Sequence, residues 1–516
     1  MSFWKPGTVA PGSTLDRDTE NETGEAVVAH AEKQYRHLTL TQQRERLPVF
    51  KLRRELLYLL GKYQTVIVVG QTGSGKTTQI PQYLMESGWA SKGKQIACTQ
   101  KKRPELRVII SSATMDAEQF YGFFNTNTTR DSSKDTASII SLEGRMFPVD
   151  ILYVDKPVVD YVEKCIQTVF DIHMKEPAGD ILIFMTGREE IDKVVSEVYE
   201  RGQTLPKNSL SVMPLPLYAG LTIEEQLQVR AYNPKTGMEA LVVTPTSKAS
   251  ALQRAGRAGR VKPGKAFRLY TEETYNTLRD TSIPEIQRSN LAPVILQLKA
   301  LGIDNVLRFD FITPPPAELM TRALELLYSL KALDDVGRLT IPLGLQLAEF
   351  PVDPMLGKIL LASKEFGCSH EIVTIAAMVS VQNIFIQPAK VPREVIHEAR
   401  RKFWVEEGDS LSLINVYNAF INKGNKSGKW CHDRFLNFKA LSRAMTIRLQ
   451  LMKYLKRFDI PLVSATAKYP KTAEGRLAAS QDVRKCITSG YFSQAAIAEA
   501  DGSGRFRTKP QMRRFP

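Results

Sequence analysis

The clearest chemistry in this 516-residue sequence lies in a glycine-rich stretch, Gly70–Thr77, which reads GQTGSGKT. It follows the β-branched run Thr65–Val69, typical of a buried parallel strand, and precedes a helical stretch that reaches about Trp89. The match to G-x-x-x-x-G-K-[ST] between a strand and a helix predicts a phosphate loop. The expected ligands of a nucleoside triphosphate are Gly73, Ser74, Gly75, Lys76, Thr77 and Thr78.

Each residue type in this loop has a chemical reason. The glycines let backbone N–H groups turn inward around a phosphate, and the helix N-terminus adds partial positive charge. Lys76 can reach the β- and γ-phosphates, and the Thr77 hydroxyl can ligate Mg²⁺. The loop does not name the reaction, because small-molecule kinases, GTPases and motors share it.

A second cluster, Gln253–Arg260 (QRAGRAGR), places a glutamine and three arginines within eight residues. Arg254, Arg257 and Arg260 recur at every third residue, so on a helix they would share one face. One interpretation is a solvated basic turn. The other is a set of arginine fingers that stabilise the transition-state charge at a phosphate site. A small-molecule kinase, a third possibility for the phosphate loop, would leave this cluster unexplained.

Composition bounds the class of protein. With 43% hydrophobic residues the chain can bury a sizeable core, which excludes a wholly disordered chain. No apolar run approaches the ~18 residues of a membrane span, so an integral membrane protein is excluded. The five cysteines are far apart and predict neither a disulfide framework nor a zinc site.

Charge points to a polyanionic partner, nucleic acid first. Lys plus Arg number 70 against 55 acids, a formal net charge of +15. Residues 421–460 carry ten Lys/Arg against two acids, and apolar residues recur at helical spacing beneath them. That apolar stripe is Leu441, Met445, Leu449, Met452 and Leu455. The segment is either a solvated helix face or a helix that contacts phosphates.

Together these motifs resemble the DEAH-box family of ATP-dependent RNA helicases, and the resemblance extends through most of the chain. Ser112-Ala-Thr114 is similar to the family's Ser-Ala-Thr motif, so Ser112 and Thr114 would couple hydrolysis to strand movement. The resemblance implies ATP and Mg²⁺ as cofactors and Gln253, Arg257 and Arg260 as catalytic residues. It implies RNA as substrate, spliceosome components and a G-patch-type activator as partners, and the nucleus as the location, with the cytoplasm as a second one.

The resemblance also predicts the architecture, which is α/β with two incomplete RecA-like lobes followed by winged-helix, helical ratchet and truncated OB-fold regions. In the ratchet domain Trp430 could stack a base, although a core tryptophan is the favoured interpretation. The expected domains are a flexible leader (1–45), a first lobe with the phosphate loop (46–145), a second lobe with the arginine cluster (146–270), a winged helix (271–340), the ratchet domain (341–460) and the start of an OB-fold (461–516).

The departures from the family are as informative as the matches. The Asp-Glu-Ala-His motif, whose acids hold Mg²⁺ and position water, is absent from the sequence. Only Gln100–Leu106 separates a predicted strand at Cys98 from one at Val108, too short for a parallel crossover. A second gap follows Arg230. Relative to the family, the two gaps also remove the arginine and the aromatic residue between which adenine stacks. We therefore interpret the chain as an internally deleted or mis-spliced form with exposed sheet edges.

No other acid is expected to replace the missing ones. Asp155 ends an apolar run that maps to the second lobe, and Glu189 and Glu190 follow the predicted strand Ile181–Met185. The stretch Val483–Phe492 is similar to the entry of an OB-fold, with too few residues after it for a five-stranded barrel. Hydrolysis is expected to be weak, and the alternative function is a non-catalytic RNA- or partner-binding protein.

Overall fold

The structure is a computed structural model of the chain, and it divides into two compact units. The first unit comprises Met1–Val229 and Val243–Ile283, and the second comprises Arg230–Val242 and Pro284–Pro516. The structure describes residues 3–4, 39–45, 47–70, 74–89, 91, 107–112, 117–129, 131–142, 147–206, 210–216, 228–233, 238–259, 262–381, 384–387, 391–422, 424, 426–498 and 506–508.

Within the described ranges, ten strands form four small sheets. In chain order they are β1 (Phe3–Trp4), β2 (Thr65–Gly70), β3 (Val108–Ser112), β4 (Ala137–Leu142), β5 (Val149–Val154), β6 (Gln228–Asn233), β7 (Met238–Val243), β8 (Gly264–Arg268), β9 (Ala496–Ala498) and β10 (Phe506–Thr508). The sheets have the orders β3-β2-β4, β1-β5-β8, β6-β7 and β9-β10.

Helices make up most of the rest. The first unit holds α1 (Leu40–Glu45), α2 (Pro48–Lys51), α3 (Arg53–Lys62), α4 (Lys76–Glu86), α5 (Ala117–Phe124), α6 (Tyr161–Lys175), α7 (Arg188–Gly202), α8 (Lys248–Ala255) and α9 (Glu272–Thr277). The second unit holds α10 (Ala292–Ala300), α11 (Ala317–Ser329), α12 (Leu343–Glu349), α13 (Pro354–Phe366), α14 (Ser369–Val379), α15 (Arg393–Arg400), α16 (Asp409–Asn422), α17 (Gly428–His432), α18 (Phe438–Arg457) and α19 (Ala473–Tyr491).

The first sheet confirms the predicted strands around the glycine-rich loop. β2 is central and pairs in parallel with β3 and β4, with Ile67 opposite both Ile110 and Ile139. Val66, Ile67 and Val68 are almost fully buried, as expected of a strand covered on both faces. The crossover from β2 to β3 passes through α4, so a parallel sheet forms in spite of the short junction. The predicted strand at Cys98 lies outside the described residues.

The second sheet is smaller than the sequence predicts. β5 pairs in parallel with β8 and in antiparallel with β1. The predicted strand at Ile181–Met185 is wrong, because the structure has no regular secondary structure there. A strand needs a hydrogen-bonded neighbour, and no described strand pairs with this segment. Ile183 and Met185 still pack on the core of α6 and α7, whereas Leu182 and Phe184 are exposed.

The predicted flexible leader, residues 1–45, contains two described elements. Phe3 and Trp4 pair with Val154 and Tyr153 of β5, and Leu40–Glu45 form α1. Arg44 of α1 donates a hydrogen bond from Nε to Gln79 of α4 at 2.8 Å and forms an ion pair with Glu86 at 2.7 Å. The other leader residues before Thr39 lie outside the described part of the chain.

The second unit is a helical body with three buried clusters. One joins α13, α14, α18 and α19, a second lies around α10, α11 and α12, and a third around α16, α17 and the first half of α18. The stretch Val483–Phe492, which resembles the entry of an OB-fold, is helical as far as Tyr491. Val483 and Cys486 belong to α19 and are buried against α13. In the described part of the chain, no helix combines the length and apolar character of a membrane span.

Candidate functional site

The described part of the phosphate loop has the geometry that its glycine requires. Gly75 has φ of 88°, in the left-handed region, and stands immediately before α4. A side chain there would also approach the Cδ1 atom of Leu47 to 2.9 Å and Cγ1 of Val49 to 3.1 Å. The Val49 amide donates to the Ser74 carbonyl at 3.1 Å, so α2 braces the loop from behind. The loop motif does not predict this bracing by Leu47 and Val49, because they lie before the strand that precedes the loop. Gly73 lies outside the described residues.

Lys76 points into the loop. Its side chain is only 8% exposed, and Nζ donates hydrogen bonds to the Gly70 carbonyl and to Ser74 Oγ, the latter at 3.1 Å. Burial lowers the pKa of the Lys76 ammonium group. A buried cation among carbonyl and hydroxyl oxygens is suited to an incoming phosphate, which would offer stronger acceptors than the loop does.

The first turn of α4 holds the predicted metal ligand. Thr77 and Thr78 are both exposed, and Thr78 Oγ1 donates to the Gly75 carbonyl at 3.3 Å. The Thr77 hydroxyl is therefore accessible to an Mg²⁺ ion that also contacts phosphate oxygens. Among the described residues there is no cluster of three or more His, Cys, Asp or Glu that could hold a metal. The loop fits a triphosphate, whereas Mg²⁺ would depend on Thr77, phosphate and water.

The arginine cluster is only partly helical. Ser247 caps α8 by accepting a hydrogen bond from the Ser250 amide at 3.2 Å, and α8 ends at Ala255. Gly256–Gly259 then form turns, so Arg257 lies beyond the helix and is exposed. The expectation that three arginines share one helix face is therefore wrong. Gln253 is exposed on α8, and Arg260 lies outside the described residues.

Arg254 has a packing role. Its guanidinium group lies 5.5 Å from the centre of the Phe184 ring, and burial lowers the pKa of Arg254. The turn after it is anchored by Gly259, because a Cβ atom there would approach the Phe147 carbonyl oxygen to 2.6 Å. The turn thus holds Arg257 next to the start of β5. Of the coupling residues, Ser112 ends β3 and Thr114 lies outside the described residues.

Asp155, Glu189 and Glu190, the acids that follow predicted strands, have different environments. Asp155 is exposed just after β5, as predicted for a strand end. Glu190 accepts hydrogen bonds from the Thr186 amide at 3.0 Å and from the Tyr161 hydroxyl. Burial alone would raise the pKa of Glu190, but these hydrogen bonds outweigh it and the pKa is lowered. Glu189 is exposed in the first turn of α7.

The basic segment contains the predicted helix, α18, which runs for 20 residues. Its buried line differs from the predicted stripe, because Leu449 is 58% exposed while Leu441, Leu451 and Leu455 are buried. Packing against α14 sets this line, and Arg448 lies on it, donating from Nε to Thr374 Oγ1 at 2.9 Å. Arg448 is thus an internal residue and not a surface cation.

The opposite side of α18 forms what we call the cationic stripe, a row of exposed residues three or four positions apart. Its members are Lys439, Arg443, Thr446, Gln450, Lys453 and Arg457. Arg457 forms an ion pair with Glu349 at 2.9 Å. Lys439, Arg443 and Lys453 form no ion pair with any residue that the structure describes, so they are available to a polyanion.

Trp430 is partly buried and packs against the third cluster, in line with the favoured interpretation. Its ring lies near Phe403 and Phe420, at 6.1 and 6.3 Å between ring centres. Arg434 covers it at 4.6 Å, and a Cβ atom on Gly424 would come within 2.7 Å of it. These contacts give the ring a packing role.

Two segments of the second unit match known domain families. Residues 323–352 match the helicase associated domain (HA2), winged-helix, and residues 353–413 match the helicase associated domain (HA2), ratchet-like. Both expected domains are therefore present.

Curated relatives match almost the whole chain. "Probable ATP-dependent RNA helicase DHX35" of Homo sapiens is 41% identical over 98% of this chain and 88% of its own. The Caenorhabditis elegans homolog of that name is 38% identical over 90% of this chain and 79% of its own. "Pre-mRNA-splicing factor ATP-dependent RNA helicase prp22" of Schizosaccharomyces pombe is 34% identical over 89% of this chain and 48% of its own.

The alignment lengths reveal internal gaps. The human relative aligns over 636 positions, whereas this chain has 516 residues, so at least 120 positions have no residue here. Because the alignment covers 98% of the chain, these positions lie within it. This agrees with the two gaps that were inferred from the sequence.

Proposed function

Because the chain belongs to the DEAH-box family of ATP-dependent RNA helicases, we propose that it binds RNA and a nucleoside triphosphate but hydrolyses the triphosphate slowly. The observation that carries the proposal is a built phosphate loop, with Lys76 buried in it, in a sequence without the Asp-Glu-Ala-His acids. In this proposal the sheets β3-β2-β4 and β1-β5-β8 of the first unit belong to reduced RecA-like lobes, and the residues after Tyr491 begin an OB-fold.

The residues of the loop would hold ATP. Gly73–Thr78 would surround the phosphates, and Lys76 would exchange its bonds to Gly70 and Ser74 for phosphate oxygens. The Thr77 hydroxyl would ligate Mg²⁺, which when bound neutralises charge on the β- and γ-phosphates. Gln253, Arg257 and Arg260 would approach the γ-phosphate from the second lobe, and Ser112 and Thr114 would couple the site to RNA.

Hydrolysis is the step most affected by the missing segment. The attacking water and Mg²⁺ lose the carboxylates that position them, while the arginines alone stabilise charge. As a scale, a single arginine finger is worth about 10³–10⁵ in turnover. Loss of the acids is expected to lower turnover by a comparable factor.

RNA would lie along the second unit. The three unpaired cations of the cationic stripe span about 21 Å of α18, at 1.5 Å per residue. A single strand could follow this row through its phosphates, in a sequence-independent way. The splicing factor among the relatives supports a role in pre-mRNA splicing, in the nucleus, with spliceosome components as partners. A G-patch-type activator is part of the proposal through the family resemblance alone.

The test compares the chain with Lys76→Ala. We expect salt-dependent binding of single-stranded RNA by both proteins, binding of a fluorescent ADP analogue only by the parent, and ATP turnover by the parent close to that of the variant. RNA-stimulated turnover that Lys76→Ala abolishes would refute the proposed loss of hydrolysis.

A second candidate function, a purely RNA- or partner-binding protein, is favoured by the missing acids. It predicts RNA binding that ATP does not change and no nucleotide binding by the parent chain.

A further inference from the structure

The second unit has a surface groove of about 570 Å³ beside α19, which we call the α19 groove. It is lined by Phe366, Gln481, Arg484, Lys485, Thr488 and Ser489. Gln481, Arg484, Lys485 and Thr488 follow an i, i+3, i+4, i+7 spacing and share one face of the helix. Phe366, the last residue of α13, forms the floor of the groove.

The floor of the α19 groove is apolar. Phe366 packs against the buried cluster of α13, α14 and α19. Thr488 Oγ1 donates to the Arg484 carbonyl at 2.9 Å, and Ser489 Oγ donates to the Cys486 carbonyl at 2.6 Å. Both hydroxyls are therefore engaged within the helix and leave mainly carbon atoms to face the groove.

The rim of the groove is positive. Arg484 and Lys485 are exposed, and neither forms an ion pair with a described residue. Asp482, on the same turn, does not neutralise them, because it pairs with Lys468 at 3.2 Å and accepts a hydrogen bond from Tyr469 at 2.9 Å. Glu365, the residue before Phe366 in sequence, is the acid next to the floor of the groove.

We propose that the α19 groove binds an acidic peptide segment. An apolar side chain of the peptide, flanked along the peptide by carboxylates, would insert into the groove. The apolar floor suits a leucine or phenylalanine anchor, and the volume lies within the 300–1,000 Å³ of ordinary ligand clefts. The unpaired cations would attract flanking carboxylates. An RNA strand fits less well. Sites that bind phosphate and sugar combine cations with neutral donors such as hydroxyls, and here the hydroxyls of Thr488 and Ser489 already donate to carbonyl oxygens of α19.

The experiment uses the full chain and a fluorescein-labelled peptide that alternates Glu or Asp with Leu and Phe. Arg484→Glu with Lys485→Glu should weaken peptide binding by about tenfold or more, since two attractions become repulsions. A peptide with Lys in place of its acids should bind this variant better than the parent. Thr488→Trp, which fills the groove without changing its charge, should weaken the acidic peptide as well.

A matched control removes cations elsewhere in the same unit. Lys453→Glu with Lys456→Glu on α18 should weaken RNA binding and leave peptide binding unchanged. If Arg484→Glu with Lys485→Glu weakens RNA but not the peptide, the groove is a nucleic-acid surface and the proposal is wrong. Peptide binding that ignores every groove variant also overturns it. Because the proposal is independent of ATP and RNA, failure of the parent to bind RNA would refute only the proposed function.

Discussion

The cationic stripe of α18 gives the most quantitative prediction, a change in the salt dependence of RNA binding. The change is Lys439→Gln, Arg443→Gln and Lys453→Gln in one variant. All three side chains are exposed and form no ion pair with a described residue, so each is free to neutralise one phosphate. Glutamine has nearly the helix propensity of lysine and arginine, so α18 is expected to persist.

The magnitude follows from counterion release. For single strands the slope of log affinity against log salt is about −0.7 for each phosphate contact. Three contacts contribute a slope of about −2, which corresponds to a loss of about twentyfold in affinity between 50 and 200 mM salt. The variant should therefore show a slope shallower by about 2 in fluorescence anisotropy titrations with a single-stranded RNA.

The matched control is Lys364→Gln, Arg484→Gln and Lys485→Gln, which removes three exposed cations from the same unit but from α13 and α19. Its slope should equal that of the parent. The reasoning is refuted if the α18 variant keeps the parental slope, or if both variants lose the same amount, because then net charge and not the stripe governs binding.

Three further predictions concern burial and close packing. Burial lowers the pKa of Lys76 below its ordinary value of 10.5, so triphosphate affinity should fall as the pH rises towards that value. The free energy of unfolding should rise in the same pH window, because the unfolded chain then binds more protons than the folded chain. Nucleotide titrations at several pH values test this, and Lys76→Met should remove the pH dependence of affinity. Gly490→Ala should lower the free energy of unfolding by about 1–3 kcal/mol in urea titrations, since its Cβ would collide with the Met355 carbonyl oxygen. Gly122→Ala, with open space around it, should be neutral or stabilising, and equal losses in both variants would contradict the packing argument. Burial raises the pKa of Cys165 to about 11, so this thiol should resist alkylation at pH 8 in the native chain and react in urea, as mapped by mass spectrometry; rapid native labelling would contradict its burial.

Local rules were sufficient for several elements. The strand Thr65–Gly70 and the helix from Lys76 follow from a β-branched run, a glycine with positive φ and a helix start within a dozen residues. The same holds for α18, whose apolar spacing is helical throughout. The family resemblance, its winged-helix and ratchet domains and the internal gaps could also be predicted from sequence, because motifs and their absence are properties of the chain itself.

Tertiary structure decided what depends on distant partners. Ile181–Met185 has a strand pattern, yet a strand forms only when a neighbouring chain accepts its hydrogen bonds. Leu449 has helical spacing, yet it is exposed because α14 sets which side of α18 is buried. The arginine spacing suggested one helix face, but α8 ends at Ala255, and Gly259 must fit against the Phe147 carbonyl. Sequence therefore determined which chemistry is present, and packing determined which side chains can reach a ligand.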